Sequence, residues 1–201
     1  MEIPSLEVAQ RLLAEAEILN PGPWIAHSIY VAEAAKHIAD LHPNLDGDVA
    51  YILGYLHDIG RREGVTDLRH ILDGYTFMQN LGYTDSAKVC MTHSFPTQNP
   101  EDGAGRWDCT AEELLFIQNY IANTIFDEYD LLIQLCDALA LPSGFTLIEK
   151  RLIDVGIRRG VNELTVPRWK AYLDLQAHFS SQIGESIYST LPNVVENTFG
   201  F

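Results

Sequence analysis

Apolar positions recur along this chain at steps of three and four, so the pattern predicts helices almost throughout. Over residues 5–19, Leu6, Ala9, Leu12, Leu13 and Ala16 share one face. Asn20-Pro21-Gly22-Pro23 ends that helix, because such a cluster cannot continue one. Residues 24–41 carry the next stripe: His27, Val31, Ala34, Ile38 and Leu41. A third segment places Val49, Ile52, Leu53 and Leu56 together and runs straight into His57-Asp58, with Gly60 as its stop. Residues 67–81 set Leu68, Ile71, Leu72, Tyr75 and Met78 beside a row of His70, Gly74, Phe77 and Leu81. A short helix over 84–94 brings His93 one turn after Val89. The longest irregular stretch, residues 95–108, follows at once and reads as a mobile lid, a common use of loops this long. Thr110-Ala111-Glu112-Glu113 matches a capping box and opens a helix with Leu114, Ile117 and Ile121 inside. Further helices are expected over 127–141, over 145–160, and from Thr165 onward with Pro167 in the first turn. Tyr172, Leu175, Phe179, Ile183 and Ile187 form the last stripe. Neither a repeat nor a sustained alternating segment is present, so the expected fold is all-α.

Several polar residues interrupt this pattern where packing alone would not put them. His27 and His57 sit on core-facing stripes. Gly74, one turn after His70, costs a helix about 1 kcal/mol relative to Ala and reads as clearing space beside the imidazole. Asp137 stands inside Ile133-Gln134-Leu135-Cys136-Asp137-Ala138-Leu139, where a carboxylate either breaks to solvent or needs a partner. Asp130, on nearly the same face, is its rival. His37, about 280° around the helix from His27, should face water. His42 belongs to a loop, and His178, lacking an acidic companion, reads as structural. Any one of these histidines could be a core histidine bonded to a carbonyl. Taken together, His27, His57-Asp58, His70, His93 and Asp137 come from separate helices and mostly from buried rows or helix ends. Imidazole with carboxylate suits Fe, Mn, Zn or Ni better than Mg or Ca.

A length of 201 residues fits one domain, residues 1–201, with a motif core over about 20–141 and C-terminal helices over about 145–190. The net charge of −15 argues against a nucleic-acid polymer as partner. It leaves room for a small anion, since local arginines and metals can override the global field. Cys90, Cys109 and Cys136 are an odd count without C-x-x-C spacing, which suits a reducing cytoplasm and offers no thiolate zinc site. No basic leader precedes an apolar stretch, and no run approaches the roughly 18 apolar residues of a membrane span, so neither secretion nor a membrane is expected.

The ordered set resembles the HD-domain superfamily of metal-dependent phosphohydrolases, whose motif H…HD…D extends in dinuclear members to H…HD…H…H…D. His27-Ser28-Ile29-Tyr30-Val31-Ala32 is similar to the first-histidine helix. Leu56-His57-Asp58-Ile59-Gly60-Arg61 is similar to HDIGK, with Arg61 in place of the usual lysine. Leu135-Cys136-Asp137-Ala138-Leu139 resembles the closing aspartate helix. The resemblance implies a helical bundle with the metal site at its centre. It implies one ion held by His27, His57, Asp58 and Asp137, and a second held by His70 and His93 with Asp58 bridging. Asp58 would act in catalysis, a metal-activated hydroxide would attack phosphorus, and Arg61, helped by Arg106, would hold the phosphate of a small substrate, a nucleotide. Arg62 is expected to be a solvated surface residue. Two other classes stay open: a dinuclear-iron oxygenase of the same superfamily, and a non-catalytic ligand-binding module. A homo-oligomer is compatible with any of the three.

Overall fold

The computed structural model describes residues 1–200, and in it the periodic segments fold as ten α-helices with one two-residue hairpin. Local chemistry starts several of them by satisfying free backbone N–H groups. The Ser5 hydroxyl accepts from the Val8 amide to open α1 (Leu6–Leu19), and α2 (Trp24–Ala39) begins after the proline cluster. The Asp46 carboxylate accepts from the Asp48 and Val49 amides at the head of α3 (Gly47–Leu56). After α4 (Arg69–Asn80) and α5 (Thr84–Thr92), reciprocal capping boxes open α6 (Ala111–Asn123) and α7 (Glu128–Leu139). The first is the expected Thr110–Glu113 box. The second pairs the Asp127 cap with Asp130, so the Asp130 carboxylate is spent on the start of α7. The C-terminal part holds α8 (Ile148–Arg159), α9 (Thr165–Ile183) and the short α10 (Val194–Phe199).

Three boundaries differ from the pattern. Helix α7 stops at Leu139, and Ala140–Leu141 pairs antiparallel with Gly144–Phe145 across the Pro142-Ser143 turn. Helix α9 stops before Ile187, because Gly184 takes φ 79° and turns the chain into a 3₁₀ segment. Helix α3 ends at Leu56, and Gly60 lies inside a 3₁₀ turn over Ile59–Glu63 instead of ending a helix. Gly60 is needed there for another reason. A Cβ on it would stand 2.0 Å from the His70 carbonyl oxygen and 2.3 Å from the Gly74 nitrogen. The two glycines thus let the turn after Asp58 lie backbone to backbone on α4. The expected open space beside Gly74 is filled by Gly60 and the Cys90 side chain.

Helices α2, α3 and α7 form the centre. Val31, Ala35, Ile38, Leu53, Leu132, Leu135 and Leu139 are buried there, with Ile148, Leu152 and Phe179 from α8 and α9 packed over them. Each large aliphatic buried this way contributes about 1.5–3 kcal/mol before chain entropy is counted. A second cluster seats α1 against Leu56, Ile59 and Met78, and a third packs α6 against Ile71, Met91 and Phe95. The packing therefore brings the end of α3, the start of α4, the end of α5 and the last turn of α7 to one place. Among the described residues, no helix is long and apolar enough to cross a membrane.

Candidate metal centre

Asp58 is the meeting point. It follows His57, the C-cap of α3, and its side chain is 5% exposed. His70 from α4 brings Nε2 to 3.1 Å from Asp58 Oδ1, and His93, at the end of α5, brings Nε2 to 3.6 Å from the same atom. His57 Nε2 lies 3.9 Å from Oδ2, and Arg61 Nε donates to Oδ2 at 2.5 Å. On the other side His27, in the first turn of α2, places Nε2 2.9 Å from Asp137 Oδ1 on α7. Ring centroids 5.4 Å apart for His27 and His57, and 5.0 Å for His57 and His93, join the two halves. All six residues expected from the sequence as metal ligands are thus brought together.

The imidazoles are oriented by their other nitrogens. Nδ1 of His57 lies 2.7 Å from the Gly54 carbonyl, Nδ1 of His70 2.5 Å from that of Asp67, and Nδ1 of His93 2.9 Å from that of Cys90. Carbonyls only accept, so Nδ1 carries the proton in each ring and the Nε2 lone pair faces inward. Arg61 Nη2, 3.3 Å from His70 Nε2, fits that tautomer because a guanidinium only donates. His57 Nε2 and Asp58 Oδ1 are buried with no hydrogen-bond partner among the described residues. The contact between Asp58 Oδ1 and His70 Nε2 is therefore one of two acceptors, which a cation would resolve. Backbone carbonyls holding Nδ1 are also the usual way of aiming a ligating histidine. The donor set fits a transition-metal ion. Three triads, His27–His57–Asp58, His57–His93–Asp137 and Asp58–His70–His93, each offer ligand atoms within 4.8 Å of one another.

Electrostatics keep these groups in their ligating forms. Burial lowers the pKa of His57, and lowers that of His93 to about 3, so both rings stay neutral. Burial would raise the Asp58 carboxyl, but the Arg61 guanidinium beside it outweighs this and holds it well below the usual range. Asp137 is depressed too, burial being overcome by the hydrogen bond from His27.

The cluster opens into a cavity of about 500 Å³. Arg61 lines it. Arg106 does not: its side chain is 95% exposed, with Asp67 the nearest carboxylate at 3.9 Å. Arg62 is not the solvated residue expected, for its guanidinium lies 3.9 Å from the centre of the Phe77 ring and its side chain is 16% exposed. Asp130 bonds Thr92 and pairs with Lys88, away from the cluster. His178 has an acidic companion after all, Glu128 at 2.9 Å, and His37 is exposed as expected. Residues 95–108 form a pinned wall, unlike the free lid suggested by their composition. Phe95 is buried and stacks on Trp107, Arg168 Nη1 donates to the Asp102 carbonyl at 2.5 Å, and Asp108 takes the Asp67 and Arg69 amides. Sequence reasoning missed the far side of the cavity, where α8 and α9 contribute Arg151, Arg158, Arg159 and Arg168. The signal was available in Arg151, Asp154 and Arg158, which share one helix face, but that spacing is equally that of a solvated surface.

The family model described as HD domain matches residues 24–141. No curated protein and no solved structure matches the chain.

Proposed function

The chain belongs to the HD-domain family, within the superfamily of metal-dependent phosphohydrolases, and we propose that it hydrolyses a small phosphorylated molecule, a nucleotide, at the His/Asp cluster. One observation carries this reading: the inward-facing Nε2 atoms of His70 and His93 converge on Asp58 Oδ1, itself buried without a hydrogen-bond partner among the described residues, with His27, His57 and Asp137 clustered beside them. His27, His57, Asp58 and Asp137 would hold one divalent transition-metal ion. His70 and His93 would hold a second, with Asp58 shared. Fe, Mn, Zn or Ni suits these donors. Bound there, the ions supply Lewis acidity toward a phosphoryl oxygen and a water of lowered pKa.

The chain's own residues do the rest. The carbonyls of Gly54, Asp67 and Cys90 keep three rings aimed, so no rotamer search precedes binding. Asp58 stays ionised throughout the working pH range. Arg61 is placed to hold phosphate. His70 Nε2 cannot serve Arg61 and the cluster at once. With that lone pair committed to the cluster, Arg61 Nη2 is free to donate to a phosphate oxygen while Nε stays on Asp58. Trp24, Trp169 and Tyr172 line the cavity and offer flat faces to a base; the Trp24 ring is fixed by its Nε1 donating to the Asn20 carbonyl at 2.9 Å. Three free cysteines suit a reducing cytoplasm as the place of action.

The test is phosphate release over a panel of nucleoside mono-, di- and triphosphates, using anaerobically purified protein of measured metal content. Turnover should vanish with a chelator and return with one of the four metals. Absence of release from every nucleotide with every metal would overturn the reading.

A further inference from the structure

Five of the chain's nine arginines line this one cavity, in a protein of net charge −15: Arg61, Arg151, Arg158, Arg159 and Arg168. Four of them come from α8 and α9, beyond the residues that match the family. Most have fixed partners. Arg61 is on Asp58, Arg168 on the Asp102 carbonyl, and Arg159 Nη1 on both Asp67 oxygens at 2.9 and 3.1 Å. Arg151 differs. Its side chain is 21% exposed, yet its guanidinium makes no hydrogen bond among the described residues. Its nearest carboxylate is Asp154 Oδ2 at 3.8 Å, and Arg158 already takes that oxygen through Nε and Nη2 at 3.0 and 2.8 Å.

Two guanidinium groups therefore share a single carboxylate, on one face of α8, inside a partly enclosed space. A guanidinium that faces a cavity with its N–H groups uncommitted to the protein is available to donate to an anion that enters. The planar fork of arginine matches phosphate oxygens two at a time. Folding also runs against the simplest pattern here. The charged row Arg151–Asp154–Arg158 lines the cavity, while Ile153 and Ile157 on the same helix are 53% and 80% exposed.

We propose that Arg151 and Arg158 form a second anion subsite, and that the substrate is a polyphosphate ester, a nucleoside di- or triphosphate class of molecule, whose remaining phosphates lie on α8 while the phosphate to be cleaved lies at the His/Asp cluster. The proposal rests on the metal-site reading for the position of the cleaved phosphate; the α8 subsite itself rests on the arginines alone.

The experiment is titration calorimetry of the metal-loaded full chain with orthophosphate and with tripolyphosphate. The proteins are wild type, Arg151→Gln, Arg151→Lys, Arg158→Gln and, as a surface control, Arg11→Gln. Wild type and the control should bind tripolyphosphate at least about tenfold more tightly than orthophosphate. Both glutamine variants should bring that ratio close to one, and Arg151→Lys, which keeps the charge and loses the fork, should fall between. No preference in wild type, or a preference that survives both glutamine substitutions, overturns the subsite. If orthophosphate binds equally with and without metal while the tripolyphosphate preference still depends on Arg151, the metal-site reading fails and the α8 subsite stands.

Discussion

Asp58 Oδ1 and His70 Nε2 face each other at 3.1 Å with no proton between them, since the His70 ring donates through Nδ1 to the Asp67 carbonyl. Two lone pairs at that distance oppose each other in the metal-free protein and both gain from a cation. Metal binding should therefore stabilise the fold. At a free metal concentration of 100 times Kd the gain is about 2.7 kcal/mol. For a chain of this length that corresponds to a rise in Tm of roughly 5–10 °C. Differential scanning calorimetry of chelated and reloaded protein checks it; an unchanged Tm counts against a metal at this place.

His57→Ala and Asp58→Ala should each lower retained metal by ~10-fold or more, a loss at least as large as removing an outer partner. Phosphate release should disappear with the metal. Circular dichroism should still report a helical protein, because Leu53 and Leu56 keep α3 in its core. Wild-type metal content in either variant would remove Asp58 from the centre.

Arg61→Ala should separate holding from ligating. It removes a charged donor from Asp58 and from the cavity wall without removing a ligand. A hydrogen bond to a charged group is worth about 1.5–3 kcal/mol, so kcat/KM should fall ~10- to 150-fold. Metal content should be unchanged. Unaltered kinetics would return Arg61 to a purely structural partner of Asp58.

Arg168 is 6% exposed and Asp102 1% exposed, with Nη1 3.5 Å from Oδ1 and bonded to the Asp102 carbonyl. This contact pins residues 95–108 to α9. Breaking a buried pair by removing one partner costs about 3–5 kcal/mol. Arg168→Ala should therefore lower stability by that order and open residues 96–108 to limited proteolysis, with cleavage there before cleavage in α2 or α7. Equal resistance in wild type and variant would mean that the Phe95–Trp107 stack and the Asp108 bonds hold the wall without Arg168.

Half of the clustered residues were legible because they violate their own helices: His27 and His57 on apolar stripes, Asp137 inside an apolar run. The helices themselves were legible from three- and four-residue steps, and Thr110–Glu113 from its cap. What stayed hidden depends on how elements pack. Gly60 and Gly74 read separately as a stop and a gap, and only the fold shows them as one backbone contact. Asp130 and Asp137 are equivalent by spacing; the Asp127 cap and Lys88 decide between them. Arg151 and Arg158 look like a solvated row until α8 turns that face to the cavity. The hairpin at 140–145 and the six-residue α10 are too short to show any period.

Metal stoichiometry tests the central claim most directly. One ion needs only His27, His57, Asp58 and Asp137, whereas His70 and His93 gather on the other side of Asp58 and share its Oδ1. Anaerobically purified wild type, His70→Ala and His93→Ala should be measured by elemental analysis against protein concentration. The account predicts a value near two for wild type and near one for both variants. A wild-type value of one, unchanged by either substitution, would contradict it.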